Sequence, residues 1–492
     1  MGFIPKNINI DSLCALGSAI IPKFKCRHIL SILDLIIHHI YFYHYEEFDH
    51  EVPIHSDKFM SITHNYKDYL NFLIEEGIII RDDHYTVGEM PKGYSFTAKY
   101  RCEVVLEDNV EEKKELKEKN KEAKKENYKN NQLIKNKSFV FSEAEEILTS
   151  FIHLIEIDND EQNVTEVFNS IYKDTADICI DGLNDVKYLE FKKRIRQNMA
   201  LMKIKIGEFY TQRDQKIGRY FTVLTHLKKE FRGLLTVNNQ KLCGIDLCNS
   251  QPFLATVLLT PSFWYCNNLS DECKRKFNKY FGIITEDKIR ITLSKIGLNE
   301  NIESFINYDR LILALRHLDS DKEKYIRLVT TNKFYSHLEM LTQALDIQGL
   351  SAKDLSFTVL FSSNRTTDPE QHTYKKTTKN SRKRKYVSKI PYKLKLKAKK
   401  IFIDEFPTVN EVFQTIKSKD NSTLARILQR VESHLFLDEI VVKINKKNPI
   451  LPIFTIHDSI LVPGAIPQYI DNIASDCIER AIGHKPMFKS ST

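Results

Sequence analysis

Two aspartates that lie far apart in the chain are the residues best suited to chemistry. Asp246 ends the segment Lys241–Asp246, which reads as a strand. Asp458 lies in Phe454–Val462, where apolar residues flank a polar His-Asp-Ser centre and predict strand, tight turn and strand. Taken alone, this second segment reads as an ordinary hairpin whose polar residues serve the turn. Together, two carboxylates on strands suit a two-metal phosphoryl-transfer site, because each metal must lie close to both.

Length and composition set limits on the class of protein. The chain has 492 residues, enough for about two or three domains, and its net charge of +8 favours a polyanionic partner. Its nine cysteines include no CxxC pair, so we expect reduced cysteines in a cytosolic protein. The N-terminus lacks the features of a signal peptide, and the apolar run from Ile29 to Tyr45 is too short to cross a bilayer. We therefore expect a cytoplasmic protein, in a bacterial or host cell, without a membrane segment.

Residues 1–106 are predicted to form a separate small domain. Apolar residues recur at helical spacing in 24–46 and again in Tyr66–Glu76. Ile78–Ile80, a polar turn and His84–Val87 then predict a hairpin. Helix followed by hairpin is the order of a winged helix. Such a domain could contact nucleic acid, and a packing domain that contacts nothing is at least as well supported.

The rest of the chain divides by composition. Residues 107–137 form a tract rich in Lys, Glu and Asn, with almost no apolar residues, and predict a solvated linker. Residues 138–212 are helical by pattern, and residues 213–492 contain both aspartates. Early in this last part Arg219 follows a glycine on a predicted tight turn, where an Arg can approach a phosphate backbone closely, although the pair alone is expected by chance. Arg232 follows shortly after.

A basic, irregular insertion spans residues 362–400. It includes Lys383 and Arg384 within an Arg-Lys-Arg-Lys run, and tyrosines are interleaved with its lysines. Such a run is most often a flexible solvated loop, and its composition also fits a localisation signal. Because it lies in the same part of the chain as the two aspartates, we expect it to contact a nucleic-acid backbone.

The order of these motifs resembles that of family A DNA polymerases and of the related phage single-subunit RNA polymerases. The resemblance covers roughly Arg213 to Pro463, about half the chain. The stretch that begins at Asp246 and ends at Gln251, Asp-Leu-Cys-Asn-Ser-Gln, is similar to the first palm motif of the family, Asp-Tyr-Ser-Gln-Ile-Glu. The His-Asp-Ser around Asp458 is similar to the last palm motif, which is His-Asp-Glu in the DNA polymerases and His-Asp-Ser in the phage RNA polymerases.

Three further segments are similar to family motifs. Lys353, Phe357 and Phe361 match the fingers-helix motif, Lys, three residues, Phe, three residues, Tyr-Gly, with Phe in place of Tyr and Ser in place of Gly. The segment up to Arg219 resembles the Asp-x-x-Gly-Arg template-strand motif with one extra residue, and Gln429 resembles the Gln that touches the minor groove near the primer end.

One departure from the family concerns the triphosphate. The family places an Arg one turn before the fingers Lys, and Gly349 stands there in this chain. Another cation would have to neutralise the triphosphate, such as Arg365 or one from the basic insertion. The spacing between Asp246 and Lys353 is also long, so an elaborated fingers region is expected.

The resemblance implies an α+β fold of the right-hand polymerase type. Its palm would be an antiparallel sheet, with helical fingers and thumb, after a small N-terminal winged-helix-like domain. Residues 138–212 would be thumb-like, and residues 213–492 would form palm and fingers, with the fingers at about 261–400.

The resemblance also implies roles for residues. Asp246, Asp458 and the carbonyl of Leu247 would hold two Mg2+ ions, for which Mn2+ can substitute. Lys353 would face the triphosphate, and the two phenylalanines of its helix would stack near the nascent base pair, unless one of them is plain helix core. The residues expected to bind nucleotide are Lys353, Phe357, Phe361 and Gln251, and those expected to bind primer or template are Arg219, Arg232, Gln429, His457, Lys383 and Arg384.

The expected function is primer extension with dNTPs on a template, in the replication of a phage, plasmid or other mobile element. In the DNA polymerases of the family, a Glu at the position of Gln251 excludes a ribose 2′-hydroxyl. Gln251 has nearly the same bulk, which favours deoxynucleotides, whereas Ser459 matches the residue found in the RNA polymerases and weakly favours ribonucleotides. No acidic cluster before residue 200 resembles a proofreading exonuclease. The expected partners are primer–template DNA, dNTPs and other replication proteins, and the expected state is a monomer. The alternatives are an RNA polymerase or primase-like enzyme, and a nucleic-acid-binding replication or defence protein without synthesis.

Overall fold

Helices and antiparallel sheets make up the chain, so the predicted α+β class is confirmed. The computed structural model describes residues 2–42, 51–82, 91–107, 142–157, 161–172, 185–265, 269–282, 291–298, 306–365 and 392–491. The strands are β1 Gly2–Pro5, β2 Val52–Pro53, β3 Ile79–Asp82, β4 Gly93–Phe96, β5 Val104–Glu107, β6 Glu156–Ile157, β7 Thr211–Arg213, β8 Tyr220–Thr222, β9 Leu235–Val237, β10 Gln240–Leu247, β11 Phe454–Ile456, β12 Ser459–Pro463 and β13 Phe488–Ser491.

The helices include short ones of a single turn as well as long ones. They are α1 Ile10–Ile20, α2 Cys26–Phe42, α3 Ser56–Met60, α4 Tyr66–Glu75, α5 Glu143–Ile152, α6 Glu161–Ile171, α7 Asp185–Ile206, α8 Val223–His226, α9 Lys229–Arg232, α10 Ser250–Leu254, α11 Pro261–Trp264, α12 Asp271–Phe281, α13 Tyr308–Arg316, α14 Ser320–Thr330, α15 Phe334–Ala344, α16 Ala352–Phe361, α17 Tyr392–Glu405, α18 Pro407–Ile416, α19 Thr423–Ser433, α20 Val442–Lys447 and α21 Gln468–Ile482. Short 3-10 helices span Ala98–Tyr100 and Ala255–Leu259, and a π-helix spans His434–Val441.

The chain forms two compact units whose segments interleave along the sequence. The first contains residues 1–139, 155–209 and 226–236, and the second contains residues 140–154, 210–225 and 237–492. The helical stretch predicted at 138–212 is therefore shared between the units: α5 belongs to the second and α7 to the first. Among the helices of the described ranges, none has the length and apolar character needed to cross a membrane.

In the first unit, α2 is the central helix. Its apolar residues recur every three or four positions, and Ile29, Ile32 and Leu33 are fully buried, as the sequence pattern predicts. The predicted helix at Tyr66–Glu76 is confirmed as α4 and buries the predicted apolar face. Strands β2, β4 and β3 form one antiparallel sheet in that order, and β1 pairs with β5.

Two expectations for the first unit need correction. Strand β3 pairs with β4, with Ile79 opposite Phe96, and it includes Arg81 and Asp82, which the sequence analysis assigned to the turn; the predicted strand His84–Val87 lies outside the described residues. Cys14 and Cys26 form a disulfide, with Cα atoms 5.4 Å apart, so the expectation of reduced cysteines is wrong for this pair. Their separation of 12 residues matches no motif; the turn between α1 and α2 brings them together.

The second unit contains an antiparallel sheet in which β11, β12, β10 and β13 are neighbours in that order. The predicted strand before Asp246 is confirmed as β10, and the predicted hairpin around Asp458 as β11 and β12. The sequence analysis ends the chain at α21, whereas the structure adds β13 after it. Helices α19 and α20 and the π-helix between them follow one another without a break.

Candidate active site

Asp246 lies on β10 between two neighbouring strands. Ser459 on β12 and Lys489 on β13 are its cross-strand partners. The Ser459 hydroxyl donates a hydrogen bond to Oδ1 of Asp246 at 2.6 Å, and the Lys489 ammonium lies 3.0 Å from Oδ2. Each oxygen of this carboxylate therefore has its own partner, one from each side of the strand.

Asp458 lies in the turn between β11 and β12, beside Asp246. His457 precedes it with φ of +57°, a left-handed conformation that closes the turn. The Asp458 carbonyl accepts a hydrogen bond from the Leu247 N–H at 3.2 Å, which joins the turn to the end of β10. Burial raises the pKa of Asp458, and the negative charge of Asp246 raises it further. The structure thus brings together the two predicted carboxylates.

The donor set of the two aspartates fits a hard divalent cation. Two carboxylates that repel each other are stabilised by a cation between them, and Mg2+ is usually held by one or two carboxylates together with substrate phosphates and water. In the part of the chain that the structure describes, no three His, Cys, Asp or Glu side chains form a group able to hold a metal by themselves. The two aspartates therefore suit an ion that completes its coordination with substrate and water.

A second carboxylate system lies next to the aspartates. Glu432 on α19 is 1% exposed. The Arg219 guanidinium donates two hydrogen bonds to its oxygens, at 2.8 and 2.9 Å, and the Gln251 side-chain N–H donates a third. Burial raises the pKa of Glu432 to about 7, Arg219 opposes that shift, and the charge of Asp458 adds to it. Sequence reasoning missed Glu432, because no motif distinguishes it from other helical glutamates.

The turn before Arg219 requires a glycine. Gly218 has φ of +75°, and a Cβ placed there would lie 3.2 Å from Cβ of Ser433. The turn is closed by Asp214, whose carboxylate accepts hydrogen bonds from the N–H groups of Lys216 and Ile217, each at 2.8 Å. This backbone aims Arg219 at Glu432.

We expect Gly218→Ala to destabilise the protein by about 1–2 kcal/mol, because a side chain in the left-handed region is strained and Ser433 leaves little room. Chemical denaturation measures the change. Gly233→Ala is the matched control: its φ is −63°, and an added Cβ would meet only the Glu230 carbonyl at 3.6 Å. An equal loss in both variants would contradict the argument from the turn.

The segment that resembles the fingers-helix motif forms a helix, α16, as the resemblance implies. Lys353, Phe357 and Phe361 follow one face at intervals of one turn. The Lys353 ammonium lies 5.4 Å from the centroid of the Phe357 ring, and the two phenylalanine rings are 5.4 Å apart. Phe361 is 36% exposed and Phe357 is half-buried, so neither ring is plain helix core.

Tyr335 on α15 connects α16 with the aspartates. The helix that carries Tyr335 packs against α16. Burial raises the pKa of Tyr335 to about 12, and the negative charge of Asp458 contributes to the shift. The helix that carries Lys353 and the Asp458 turn therefore have a common neighbour.

Two buried lysines bind the chain at the C-terminal end of α16. The Lys417 ammonium donates to the carbonyls of Val359 and Ser362, at 2.5 and 3.2 Å. Lys399 donates to the carbonyls of Ser363 and Arg365, at 2.6 Å each. Burial lowers the pKa of Lys417 to about 7 and that of Lys399 to about 8, because a charged amine loses its hydration there. These cations satisfy carbonyls at the helix end.

The stability contributed at Lys417 is expected to depend on pH. The pKa of this amine falls from 10.5 to about 7 on folding, so between these values the folded state binds fewer protons than the unfolded state. Stability should therefore decrease as the pH falls from about 10 through 7. Lys417→Met should show a shallower decrease in the free energy of unfolding between pH 9.5 and 6.5, and the exposed Lys400→Met should follow the wild type. Parallel curves for all three proteins would contradict the assignment.

The structure places the remaining predicted residues as follows. Arg219 donates two of its N–H groups to Glu432. Its contact with a template stays a prediction, and such a contact would use the remaining N–H groups. Gln429 is half-buried on α19, and the His457 ring meets the edge of Phe221, with ring centroids 5.9 Å apart. Arg232 belongs to the first unit, where its side chain donates to the Leu227 carbonyl at 3.0 Å. Two predicted residues lie outside the described part of the chain, Lys383 and Arg384.

Lys489 is the functional candidate that sequence reasoning missed most clearly. The segment Phe488–Ser491 is too short and too polar to predict a strand, and its register with β10 is what brings the lysine to Asp246. A comparison of the chain with known protein families finds no match, and a search of curated proteins finds none either.

Proposed function

We propose that this protein is a template-directed DNA polymerase that extends a primer with dNTPs and lacks a proofreading exonuclease. The observation that carries the proposal is that two aspartates from distant parts of the chain lie close together: Asp246 is on β10, and Asp458 is in the turn that leads into the neighbouring strand β12. Two further observations support it: the motif order in the sequence, and an exposed face of α16 with one lysine and two phenylalanines.

The proposed fold is a right-hand polymerase. In it, the sheet of β10 to β13 is the palm, and α16 belongs to the fingers. The proposal also includes a winged-helix arrangement in the first unit, supported by the sheet order β2-β4-β3 and by α3 and α4 between β2 and β3. The exposed positions of α4 include Lys67, Asp68 and Glu75, a mixture that does not favour binding to a polyanion.

In the proposed reaction, Asp246, Asp458 and the Leu247 carbonyl would hold the divalent ions. When bound, two Mg2+ ions would lower the pKa of the primer 3′-hydroxyl and neutralise the charge of the triphosphate. The 3′-oxygen forms a bond to the α-phosphorus while pyrophosphate leaves. Lys353 contributes an ammonium as a point charge for phosphate oxygens, and the exposed ring of Phe361 offers a surface for a base.

The preference for deoxynucleotides rests on Gln251. Its side chain is 8% exposed and hydrogen-bonded to Glu432, which is itself held by Arg219. A side chain held in this way cannot swing aside to admit a 2′-hydroxyl. Ser459, the residue that matches the motif of the RNA polymerases, donates its hydroxyl to Asp246.

Primer extension on a DNA template tests the proposal. Mg2+ is supplied with dNTPs or NTPs in separate reactions, and EDTA replaces Mg2+ in a third. We expect extension with dNTPs that EDTA abolishes. Extension with NTPs alone would overturn the argument from Gln251 and favour RNA synthesis. No synthesis in any mixture, with DNA binding retained, would favour a binding protein. The proposed partners are primer–template DNA, dNTPs and replication proteins, and the proposed form is a cytoplasmic monomer.

A further inference from the structure

Lys489 is held beside Asp246 by the backbone of β13. This strand runs antiparallel to β10 on the side away from β12, with Asp246 opposite Lys489 and Leu247 opposite Phe488. The Cys248 N–H donates to the Met487 carbonyl at 2.9 Å and extends the pairing past the aspartate. The position of the lysine is thus fixed by strand pairing, not by its own flexible side chain.

The ammonium of Lys489 stands at the solvent side of the two-carboxylate site. It lies 3.0 Å from Asp246 Oδ2, and 62% of the lysine side chain is exposed. The group is a cation in contact with Asp246 and near the charge of Asp458, and most of its side chain is exposed to solvent.

An ammonium and a divalent ion compete for the same carboxylate oxygen. A lysine displaced from Asp246 stays anchored through β13, and its four-carbon stem keeps the charge near the site. Once displaced from Asp246, the ammonium would be attracted most strongly to the phosphate groups of a bound nucleotide. Three residues before α16 the chain has Gly349, where the resemblance implies an Arg, so another cation is expected for those phosphates.

We propose that Lys489 exchanges partners: it neutralises Asp246 before a divalent ion binds, and afterwards it neutralises the triphosphate of the incoming nucleotide. This inference rests on the proposed function. It makes Lys489 a binding residue whose ammonium changes the affinity for the two ligands in opposite directions. Loss of the ammonium removes a competitor of the divalent ion and also removes a binding group for the triphosphate.

The test measures both affinities without catalysis. Mn2+ binding is titrated by electron paramagnetic resonance, and dNTP binding is titrated at saturating Mn2+ with a dideoxy-terminated primer. In Lys489→Met we expect Mn2+ to bind about fivefold more tightly and the dNTP about fivefold more weakly, the size of an exposed ion pair. Lys489→Arg keeps the charge and should stay near the wild type. Lys485→Met, an exposed lysine of the same segment, is the matched control.

The two measurements separate this inference from its competitors. A structural role of β13 alone would weaken both ligands together, and unchanged affinities would also overturn the inference. If the wild type synthesises DNA and Lys489→Met shows no opposite shifts, this inference fails and the proposed function stands. If Lys489→Met shows the two opposite shifts but the wild type makes no DNA on any template, the proposed function fails instead. No Mn2+ binding by any variant overturns both.

Discussion

Asp458→Asn should reduce the rate of single-nucleotide incorporation at least about a thousandfold, equivalent to about 4 kcal/mol of transition-state stabilisation. The amide keeps the size of the side chain and removes the charge that a divalent ion needs. The variant should unfold at the same temperature as the wild type or a higher one, because the pKa of Asp458 is raised by burial and by Asp246, which shows that the folded state disfavours this charge. Asp246→Asn should lose activity to the same degree.

Single-turnover incorporation and thermal unfolding, measured on the same preparations, check this expectation. Asp309→Asn is a suitable control, because Asp309 is an exposed aspartate whose partner is the ammonium of Lys276 at 2.8 Å. It should retain full activity. Activity of either site variant within tenfold of the wild type would contradict the assigned role of that aspartate.

Arg219→Ala should cost about 3 kcal/mol of stability at pH 8.5 and clearly less at pH 5.5. The pKa of Glu432 is raised to about 7, above the ordinary value of 4.5. A raised carboxyl pKa contributes stability that is fully present below the unfolded value and is lost as the pH rises through the folded value. At pH 8.5 the variant would leave a buried, ionised Glu432 without its guanidinium, whereas at pH 5.5 the carboxyl is already neutral.

Chemical denaturation at the two pH values measures this difference. The double variant Arg219→Ala/Glu432→Gln has no charge to leave unpaired, so it should recover most of the loss at pH 8.5. A loss of equal size at both pH values, or no recovery in the double variant, would show that Arg219 acts through packing alone.

The sequence predicted those parts of the site that local patterns encode. Apolar residues around Asp246 and Asp458 predicted β10, β11 and β12, and the similarity to a fingers-helix motif predicted α16 with its lysine and phenylalanines. These elements all belong to the second unit. The polymerase activity itself remains a proposal.

The missed features depend on contacts between distant residues. Lys489 lies in a four-residue strand that exists because β10 offers an open edge, and nothing local predicts it. Glu432 and Lys417 are ordinary charged residues of helices until tertiary packing buries them against Arg219 and against the end of α16. The predicted turn after Ile80 was wrong for the same reason, since Arg81 and Asp82 belong to β3 and pair with β4.

The π-helix at His434–Val441 makes the site sensitive to the length of the chain. Glu432, which precedes it, binds Arg219, and Asp438, inside it, binds Arg213 through two hydrogen bonds of 2.8 Å. Each residue of an α-helix turns the following side chains by about 100°. Deleting one residue of the π-helix between Glu432 and Asp438 would therefore change the relative direction of these two side chains, so that they could not both reach their arginines. Relatives of this protein should keep the number of residues between these two carboxylates constant even where the residue types differ.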